Sequence, residues 1–328
     1  MNRPASHVHC LDAQGNWTYR TNSAHNEFVA GQTYTDSLTV RSADGTQKTI
    51  TVTIAGTNDQ AVISGNASGS VTEDVNVSWL GNLVTTGKLS VADPDAGQSE
   101  FRTSVTAQSG AWGNLDINHN GKWTYWVDNS AVQGLKAGTT HTDTFTVRSE
   151  DGSASQLITV TINGANDAPR ITSDSYGGVR ENSAASTVVY TAKASDRDQG
   201  DTLAWSLKGG DAAAFSIGAD GKVRLNAPAN FEVKDHYHIT VVATDALGAK
   251  DEQGVTVYVG DADDPTLVTG DLAGRIDENG KKISGDLDAS DEDGYANFFD
   301  ANIKGKYGRF VMNDEGNWSY TLNSAQDQ

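Results

Sequence analysis

The amino-acid sequence predicts an all-β chain of tandem antiparallel β-sandwich domains in an elongated array. Three observations predict this fold class. Short runs alternate polar and apolar residues with a period of two, as at residues 142–148 and 237–244. Tight-turn pairs such as Asn120-Gly121 and Asp151-Gly152 interrupt these runs. The pattern repeats after just over 100 residues, which is the length of a sandwich domain rather than of a solenoid turn.

One pentapeptide marks the repeat. Gly-Asn-Trp-Thr-Tyr at 15–19 returns as Gly-Lys-Trp-Thr-Tyr at 121–125 and as Gly-Asn-Trp-Ser-Tyr at 316–320. The matches around this marker predict four parts: residues 1–59 as the C-terminal half of a repeat, 60–167 as a complete repeat, 168–265 as a different domain of similar length, and 266–328 as the N-terminal half of a repeat.

The two half-repeats are complementary, which indicates a segment of a longer protein whose ends divide two repeats. Neither half can bury a complete core by itself, so we expect each to be frayed or paired with another molecule. Trp123 and Tyr125 share one face of a strand, as do Trp17 with Tyr19 and Trp318 with Tyr320 in the two half-copies, and all these aromatic side chains are expected in the core. Residues 130–135 and 212–215 are expected to form no more than one helical turn each.

Composition argues against several functional classes. The 328 residues include 43 acidic and 24 basic side chains, for a net charge of −19, so neither nucleic acid nor an anionic membrane surface is an expected partner. No apolar run approaches the roughly 18 residues of a membrane span, and no signal-peptide core is visible. The single cysteine, Cys10, cannot form an intramolecular disulfide. The hydrolase and phosphate-loop motifs are absent, so we expect no enzyme activity.

Acidic side chains recur at fixed places in each domain. An early glutamate follows a short strand, an Asp-x-Asp triplet lies further along, and an aspartate occupies the turn before the last strand. Residues 261–300 alone contain twelve acidic and three basic side chains. Converging carboxylates repel one another unless a proton or a cation lies between them. A ligand set of oxygens without His or Cys favours calcium over zinc or copper.

These residues carry a family resemblance. Residues 168–265 resemble a cadherin-like domain through Arg180-Glu181-Asn182, Asp196-Arg-Asp198, Phe231-Glu232, Ala243-Thr-Asp245-Ala-Leu-Gly248 and Asp261-Ala-Asp-Asp-Pro265. They depart from the family pattern at Asn230, where an acid is usual. The flanking repeats resemble VCBS-type repeats through Gly121-Lys-Trp-Thr-Tyr125, Ser149-Glu-Asp-Gly152 and Gly164-Ala-Asn-Asp167. The resemblance implies an Ig/cadherin-like fold and a segment of a large, secreted RTX-type adhesin of the bacterial cell surface.

The resemblance also implies calcium at three interdomain junctions. The calcium ligands would be Asn58, Asp59, Asp93, Asp95 and Asp151 at site 1; Glu73, Asn166, Asp167, Asp196, Asp198 and Asp245 at site 2; and Glu181, Glu232, Asp261, Asp263, Asp264, Asp291 and Asp293 at site 3. The partners would be calcium ions and the neighbouring repeats of the same long chain. The expected function is an extracellular spacer that calcium makes rigid, for cell adhesion or biofilm formation.

Two alternatives remain open. Exposed Trp79, Trp112 or Trp126 would stack on a cell-surface or matrix polysaccharide if the chain were a carbohydrate-binding module. The domains would instead be accessory parts of a secreted polysaccharide-degrading enzyme if a catalytic domain lay elsewhere in the protein. Homophilic adhesion rests on analogy of fold only.

Overall fold

The computed structural model describes residues 7–21, 23–294 and 296–323; the other residues of the half-repeats predicted at 1–59 and 266–328 lie outside this description. Within these ranges the helical elements are two single 3-10 turns, Asn129–Ala131 and Ala212–Ala214, and all other regular elements are strands. The predictions of an all-β fold and of single turns at these two places are confirmed. The chain divides into two compact units, Met1–Asp167 with Asp196–Asp201, and Ala168–Ser195 with Thr202–Gln328.

The N-terminal segment, residues 7–59, contains two antiparallel hairpins. They are β1 (His7–Leu11) with β2 (Trp17–Arg20), and β3 (Thr33–Arg41) with β4 (Gln47–Ala55). Their alternating sequences place Leu38, Ile50 and Val52 on one face of the second hairpin. This apolar face is incompletely covered, since Leu38 is 36% exposed.

Residues 61–163 of the first unit form a two-sheet structure, here named the first sandwich. Its strands are β5 (Val62–Gly65), β6 (Ser68–Thr72), β7 (Asn82–Ala92), β8 (Thr106–Ala107), β9 (Asn114–Ile117), β10 (Lys122–Asp128), β11 (Thr140–Arg148) and β12 (Ser155–Asn163). One sheet has the order β5-β7-β10-β9 and the other the order β6-β12-β11-β8. Strand β6 runs parallel to β12, and the other neighbours are antiparallel.

The core of the first sandwich lies between the two sheets. Trp123 and Tyr125, at alternate positions of β10, are completely buried there, as the sequence predicts. The Tyr125 hydroxyl donates to Asp143 at 2.7 Å, and the backbone amides of Trp112 and Gly113 donate to the same fully buried carboxylate. A buried carboxylate needs several hydrogen-bond donors. Because the donors to Asp143 of β11 lie in the loop before β9 and on β10, the cluster holds that loop against strands β10 and β11.

Residues 170–260 form the second sandwich. Its strands are β13 (Arg170–Ile171), β14 (Tyr176–Arg180), β15 (Val188–Thr191), β16 (Ala194–Ser195), β17 (Ala204–Lys208), β18 (Phe215–Ile217), β19 (Lys222–Leu225), β20 (His236–Thr244) and β21 (Lys250–Gly260). The sheet orders are β14-β21-β20-β17 and β15-β19-β18, with a separate β13-β16 pair. Val241, Ala243 and Val257 are completely buried in its core.

The C-terminal segment, residues 266–323, contains a single five-stranded sheet. Its strands are β22 (Leu267–Gly270), β23 (Lys282–Ser290), β24 (Ala301–Lys304), β25 (Gly308–Met312) and β26 (Asn317–Leu322), in the order β22-β23-β26-β25-β24. The tryptophan of the repeated pentapeptide is 8% exposed here, at Trp318, but 45% exposed at Trp17 of the N-terminal segment. A core position is therefore confirmed for Trp123 and Trp318 and is wrong for Trp17, which has too little sheet above it.

Replacing Asp143 tests the polar cluster. Asp143→Ala is expected to lower the free energy of unfolding of the first sandwich by about 3 kcal/mol, because the buried Tyr125 hydroxyl and two amides lose their acceptor. Urea unfolding measures the loss. The matched control is Asp36→Ala, at the same place in the repeat, where Tyr19 donates to Asp36 at 3.2 Å in a part-buried setting. Equal effects of the two substitutions would contradict the prediction.

Candidate metal centre

The same backbone arrangement recurs at the three predicted sites. At each site the amide of a linker aspartate donates to the second aspartate of an Asp-x-Asp turn: Asp59 to Asp95 at 3.1 Å, Asp167 to Asp198 at 3.1 Å, and Asp264 to Asp293 at 2.7 Å. The turn also closes on itself, because the second amide donates to the first carboxylate: Asp95 to Asp93 at 2.9 Å, Asp198 to Asp196 at 3.0 Å, and Asp293 to Asp291 at 3.0 Å. Each carboxylate thus keeps one oxygen that its turn does not use.

Site 1 joins the end of the N-terminal segment to the first sandwich. The Asn58 side chain donates to the Asp151 carboxylate and to the Asp59 carbonyl, both at 2.9 Å. Together with the linker and turn hydrogen bonds, these contacts connect all five predicted residues. Burial opposes ionisation of Asp151, but hydrogen bonds from Ser149, Ser153 and Asn58 outweigh it and hold the pKa of Asp151 well below its usual range. Asp95 is buried, with 1% of its surface exposed.

At site 2 the early glutamate, Glu73, is completely buried. Its Oε2 accepts a hydrogen bond from the Ala165 amide at 3.1 Å, immediately before the linker residues. Burial raises the pKa of Glu73 to about 7, and although the Ala165 amide opposes this shift, the charges of Asp167, Asp74 and Asp198 add to it. Glu73 is therefore held beside negative charge with little access to water.

Two basic side chains accompany site 2. Arg197, the central residue of the Asp-x-Asp turn, lies 3.8 Å from Asp167, and Lys136 lies 3.3 Å from Asp201. Asp201 was not among the predicted ligands, although its carboxylate lies within 4.8 Å of those of Asp196 and Asp198. Its position just after the turn is the only sequence signal that could have indicated it.

Asn166 and Asp245 complete the predicted set for site 2. The Asn166 side chain donates to the Asp167 carbonyl at 2.8 Å, as Asn58 does at site 1. Asp245 is buried in the turn before β21, where its Oδ1 accepts from the amides of Leu247 and Ala249 at 2.9 and 2.8 Å. Its role as a ligand stays a prediction.

Site 3 lies in the second unit and is the most acidic of the three. Glu181 accepts hydrogen bonds from the amides of Phe231 and Ala262, both at 2.6 Å, and these bonds lower its pKa. Four of the predicted side chains have ligand atoms within 4.8 Å of one another: Glu181, Glu232, Asp261 and Asp293.

The remaining predicted residues surround that group. Asp264 forms a second set with Glu232 and Glu292. Asp263 lines a cleft of about 840 Å³ together with Glu232, Asp261 and Asp293. Asp291 accepts from the Thr266 hydroxyl at 2.6 Å. Glu292 was missed in the sequence because it is the central residue of the triplet, where the pattern allows any side chain.

Buried carboxylate oxygens that accept no hydrogen bond indicate whether these residues suit a cation. Among the described residues, six carboxylate oxygens at sites 1 and 2 are buried and accept no hydrogen bond: Asp93 Oδ2, Asp95 Oδ1, Glu73 Oε1, Asp167 Oδ2, Asp196 Oδ2 and Asp198 Oδ1. Each such oxygen costs on the order of 1–3 kcal/mol if nothing satisfies it. An all-oxygen, anionic donor set of this kind fits Ca²⁺.

Comparisons with known proteins agree with this architecture. Residues 58–164 match the family model of the bacterial cadherin-like domain, and residues 176–260 match that of the cadherin domain. The chain therefore contains cadherin-like domains. A search of curated proteins finds no match. Among the described residues, no helix has the length and apolar character needed to cross a membrane.

Solved structures of cadherins are similar to the chain. The extracellular domain of protocadherin gamma-B4 matches with a TM-score of 0.50 and 19% identity, covering 98% of this chain and 54% of that one. Protocadherin gamma-B7 EC3-6 matches with a TM-score of 0.48 and 16% identity, covering 97% and 83%. Mouse cadherin-23 EC22-24 matches with a TM-score of 0.44 and 21% identity, covering 78% and 82%. The likeness to protocadherin gamma-B4 shows that this chain has a similar fold.

The buried glutamate predicts an unusual pH dependence in the presence of a chelator. The folded chain keeps the Glu73 proton up to about pH 7, whereas the unfolded chain loses it near its ordinary pKa of 4.5. Stability is therefore expected to fall as the pH rises between these values and to level off above them. Thermal unfolding across this range should show the fall, and Glu73→Gln should flatten it.

Glu181→Gln is the control for that experiment. The pKa of Glu181 is lowered, so its contribution to stability is present above the ordinary value and is lost as the pH falls. The two substitutions should thus change the pH profile in opposite directions. A profile that Glu73→Gln leaves unaltered would contradict the environment described for Glu73.

Proposed function

We propose that the chain is a spacer segment of a bacterial cell-surface adhesin and that calcium ions at sites 1, 2 and 3 make it rigid. The observation that carries the proposal is the set of six buried carboxylate oxygens without a donor at sites 1 and 2. The cadherin-like domains support it, because domains of this kind are typically extracellular, calcium-binding adhesion or spacer modules without enzymatic activity.

Calcium suits these sites by charge and by ligand type. It takes six to eight oxygens in a flexible shell, and carboxylates, side-chain amides and backbone carbonyls all serve. The proposed ligands are the eighteen residues predicted from the sequence, to which we add Asp201 at site 2 and Glu292 at site 3. Lys136 and Arg197 neutralise part of the charge at site 2, and Arg180 beside Glu181 does so at site 3.

The proposed effect of calcium is mechanical. At site 1 one ion would bind the linker residues Asn58 and Asp59 and the Asp-x-Asp turn of the first sandwich. At site 3 the carboxylates of Glu181 and Asp293 come from the second sandwich and the C-terminal segment. A cation held by both sides of a linker removes the linker's rotational freedom and the repulsion between its carboxylates.

The wider context of the proposal comes from the repeats. We propose that residues 60–167 are a complete VCBS-type repeat, that 168–265 are a cadherin-like domain, and that 1–59 and 266–328 are half-repeats. In an RTX-type adhesin, such tandem domains would hold a distal binding domain away from the cell during adhesion or biofilm formation. The partners would be calcium and adjoining repeats of the same chain.

A polysaccharide-binding role is the second candidate, and the exposed tryptophans favour it. Trp79 is 92% exposed in a loop with Val75, Val77 and Leu80, and Trp112 is 44% exposed and stacks on His141 at 3.7 Å. Flat exposed rings of this kind can stack on sugars.

Retention on a polysaccharide affinity gel separates the two candidates. A spacer is expected to show no retention, and Trp112→Ala combined with Trp126→Ala should then change nothing. Retention that this double variant or Trp79→Ala abolishes would place the carbohydrate-binding function first.

Calcium titration followed by thermal unfolding tests the spacer proposal. A ligand that binds only the folded chain stabilises it by about 2.7 kcal/mol per site when its free concentration is about 100 times its dissociation constant. Calcium should therefore raise the melting temperature, and magnesium should raise it less. Asp95→Asn and Asp198→Asn should each reduce the rise. The control Asp116→Asn, on an exposed face of β9, should not. No calcium-dependent rise in the unsubstituted chain would overturn the proposal.

A further inference from the structure

A lysine lies among the carboxylates of site 2. The loop of residues 133–139 and the Asp-x-Asp turn of residues 196–201 both belong to the first compact unit. The Lys136 ammonium of this loop lies 3.3 Å from the Asp201 carboxylate of the turn. The Asp201 side chain is 8% exposed and that of Lys136 is 36% exposed, so the pair is partly shielded from water. A positive charge is therefore held beside the acidic side chains of the site.

Backbone contacts fix the position of the loop that carries Lys136. Its carbonyl accepts hydrogen bonds from the amide and the hydroxyl of Thr139, at 3.0 and 2.7 Å. Gly164, at the start of the linker, packs so closely on this loop that a Cβ there would overlap the Lys136 carbonyl oxygen. In addition, the Gly134 carbonyl accepts from the Gln199 amide of the turn at 3.4 Å. The loop is thus held against both the linker and the Asp-x-Asp turn.

Site 1 repeats these backbone contacts. The Glu27 carbonyl accepts from the Ala96 amide at 3.2 Å, which is the counterpart of the contact between loop and turn at site 2. A Cβ at Gly56 would overlap the Val29 carbonyl oxygen, which is the counterpart of the contact between loop and linker. The two sites therefore share one backbone frame, and their side chains can be compared position by position.

The side chains of the charged pair differ between the two sites. Val29 of site 1 stands at the place of Lys136, and Gln98 stands at the place of Asp201. The amides of Gln98 and Asp201 both donate to the carbonyl of the second aspartate of their turns, at 3.2 and 3.1 Å, which confirms that these two positions are equivalent. Site 1 thus has neither the lysine nor the additional acid, so the two charges occur together at site 2.

Site 3 has a basic neighbour in a different arrangement. Arg180 lies beside Glu181, but its guanidinium donates to the backbone carbonyl of Asp261 at 3.2 Å. Among the residues that the structure describes, Arg180 forms no ion pair with a carboxylate. A direct ion pair with an acid of the Asp-x-Asp turn is therefore a feature of site 2.

The charge of Lys136 also reaches the proposed calcium ligands. Burial raises the pKa of Asp198, and the charge of Lys136 opposes that shift. Burial likewise raises the pKa of Asp167, and Arg197, 3.8 Å away, opposes it. The Arg197 side chain is 70% exposed, however, so water screens its charge more strongly than that of Lys136. Lys136 is the basic side chain on which the carboxylates of the turn depend most.

We propose that Lys136 is a tethered cation that takes the place of a calcium ion at site 2 when calcium is absent. Its ammonium relieves the repulsion among Asp196, Asp198 and Asp201, whose ligand atoms lie within 4.8 Å of one another. The Asp-x-Asp turn then stays on the loop without a metal ion. When calcium binds these carboxylates, Lys136 leaves Asp201, a step that rests on the proposed calcium function.

Hydrogen exchange of the peptide that covers residues 196–201, measured in chelator, tests the first step. Lys136→Met keeps the length of the side chain and removes its charge. It should speed the exchange of these amides about fivefold, the factor that corresponds to the loss of a strong, partly exposed ion pair. Lys136→Arg should preserve the protection, because it keeps the charge. Exchange that Lys136→Met leaves unaltered would overturn the proposal.

Site 1 supplies the matched control. The peptide that covers residues 93–98 should exchange at the same rate in Lys136→Met and in the unsubstituted chain. The reciprocal variant, Val29→Lys combined with Gln98→Asp, transfers the charged pair to the equivalent backbone positions of site 1. It should slow the exchange of residues 93–98 in chelator, and faster exchange there would contradict the role assigned to the pair.

Lysine acetylation tests the displacement of Lys136 by calcium. With acetic anhydride and peptide mass spectrometry, the Lys136 amine should react faster when calcium is present, because it has left Asp201. The control is Lys208, which pairs with Glu252 outside the three sites and should react at one rate throughout. Titration calorimetry should also show stronger calcium binding by Lys136→Met, because a competing charge is gone, whereas a purely structural role of this side chain would give weaker binding.

The outcomes separate this inference from the spacer proposal. If calcium raises the melting temperature but leaves the reactivity of Lys136 unchanged, the spacer function stands and the displacement of the tethered cation fails. If Lys136→Met speeds exchange in chelator but calcium does not raise the melting temperature, the tethered cation stands and the calcium function fails.

Discussion

Buried negative charge is the constraint on which the junctions of this protein depend. Glu73, Asp95 and Asp198 are between 0% and 2% exposed, and each has an oxygen that no described residue satisfies. Backbone amides stabilise only part of this charge, because each of the three carboxylates accepts an amide hydrogen bond on one oxygen only. Carboxylates that converge in this way repel one another unless a proton or a cation lies between them. The raised pKa of Glu73 is the protonated solution to this problem, and the calcium ion that we propose at site 2 would be the other solution.

The sandwiches themselves depend on a different interaction, the burial of apolar and aromatic side chains between two sheets. Where both sheets are present, as around Trp123 and Phe145, burial is complete. Among the described residues, the N-terminal segment forms two two-stranded sheets, and there Trp17 and Leu38 of the same sequence pattern are exposed. Local sequence thus determines which residues form strands, whereas the burial of their side chains depends on the sheet that packs against them.

Much of this could be predicted from the sequence, because the repeat shows each feature more than once. The strands of the first sandwich and the core position of Trp123 follow from period and spacing, and the grouping of linker and Asp-x-Asp residues is what the family resemblance implies. Asp201 and Glu292 could not be found in this way, since they lie beside the recurring pattern rather than in it. The ion pair of Lys136 with Asp201 and the pKa of Glu73 depend on burial and on contacts between residues far apart in sequence, which spacing does not encode.

The parallel pairing of β6 with β12 has a consequence for a protein placed under tension. These strands lie near the start and the end of one domain, and five residue pairs join them side by side. A force that pulls the two ends apart loads this ladder in shear, so its hydrogen bonds must break together rather than open one after another from an end. Strands β14 and β21 give the second sandwich the same arrangement. Each domain therefore carries a mechanical clamp across its termini, independent of any bound ion.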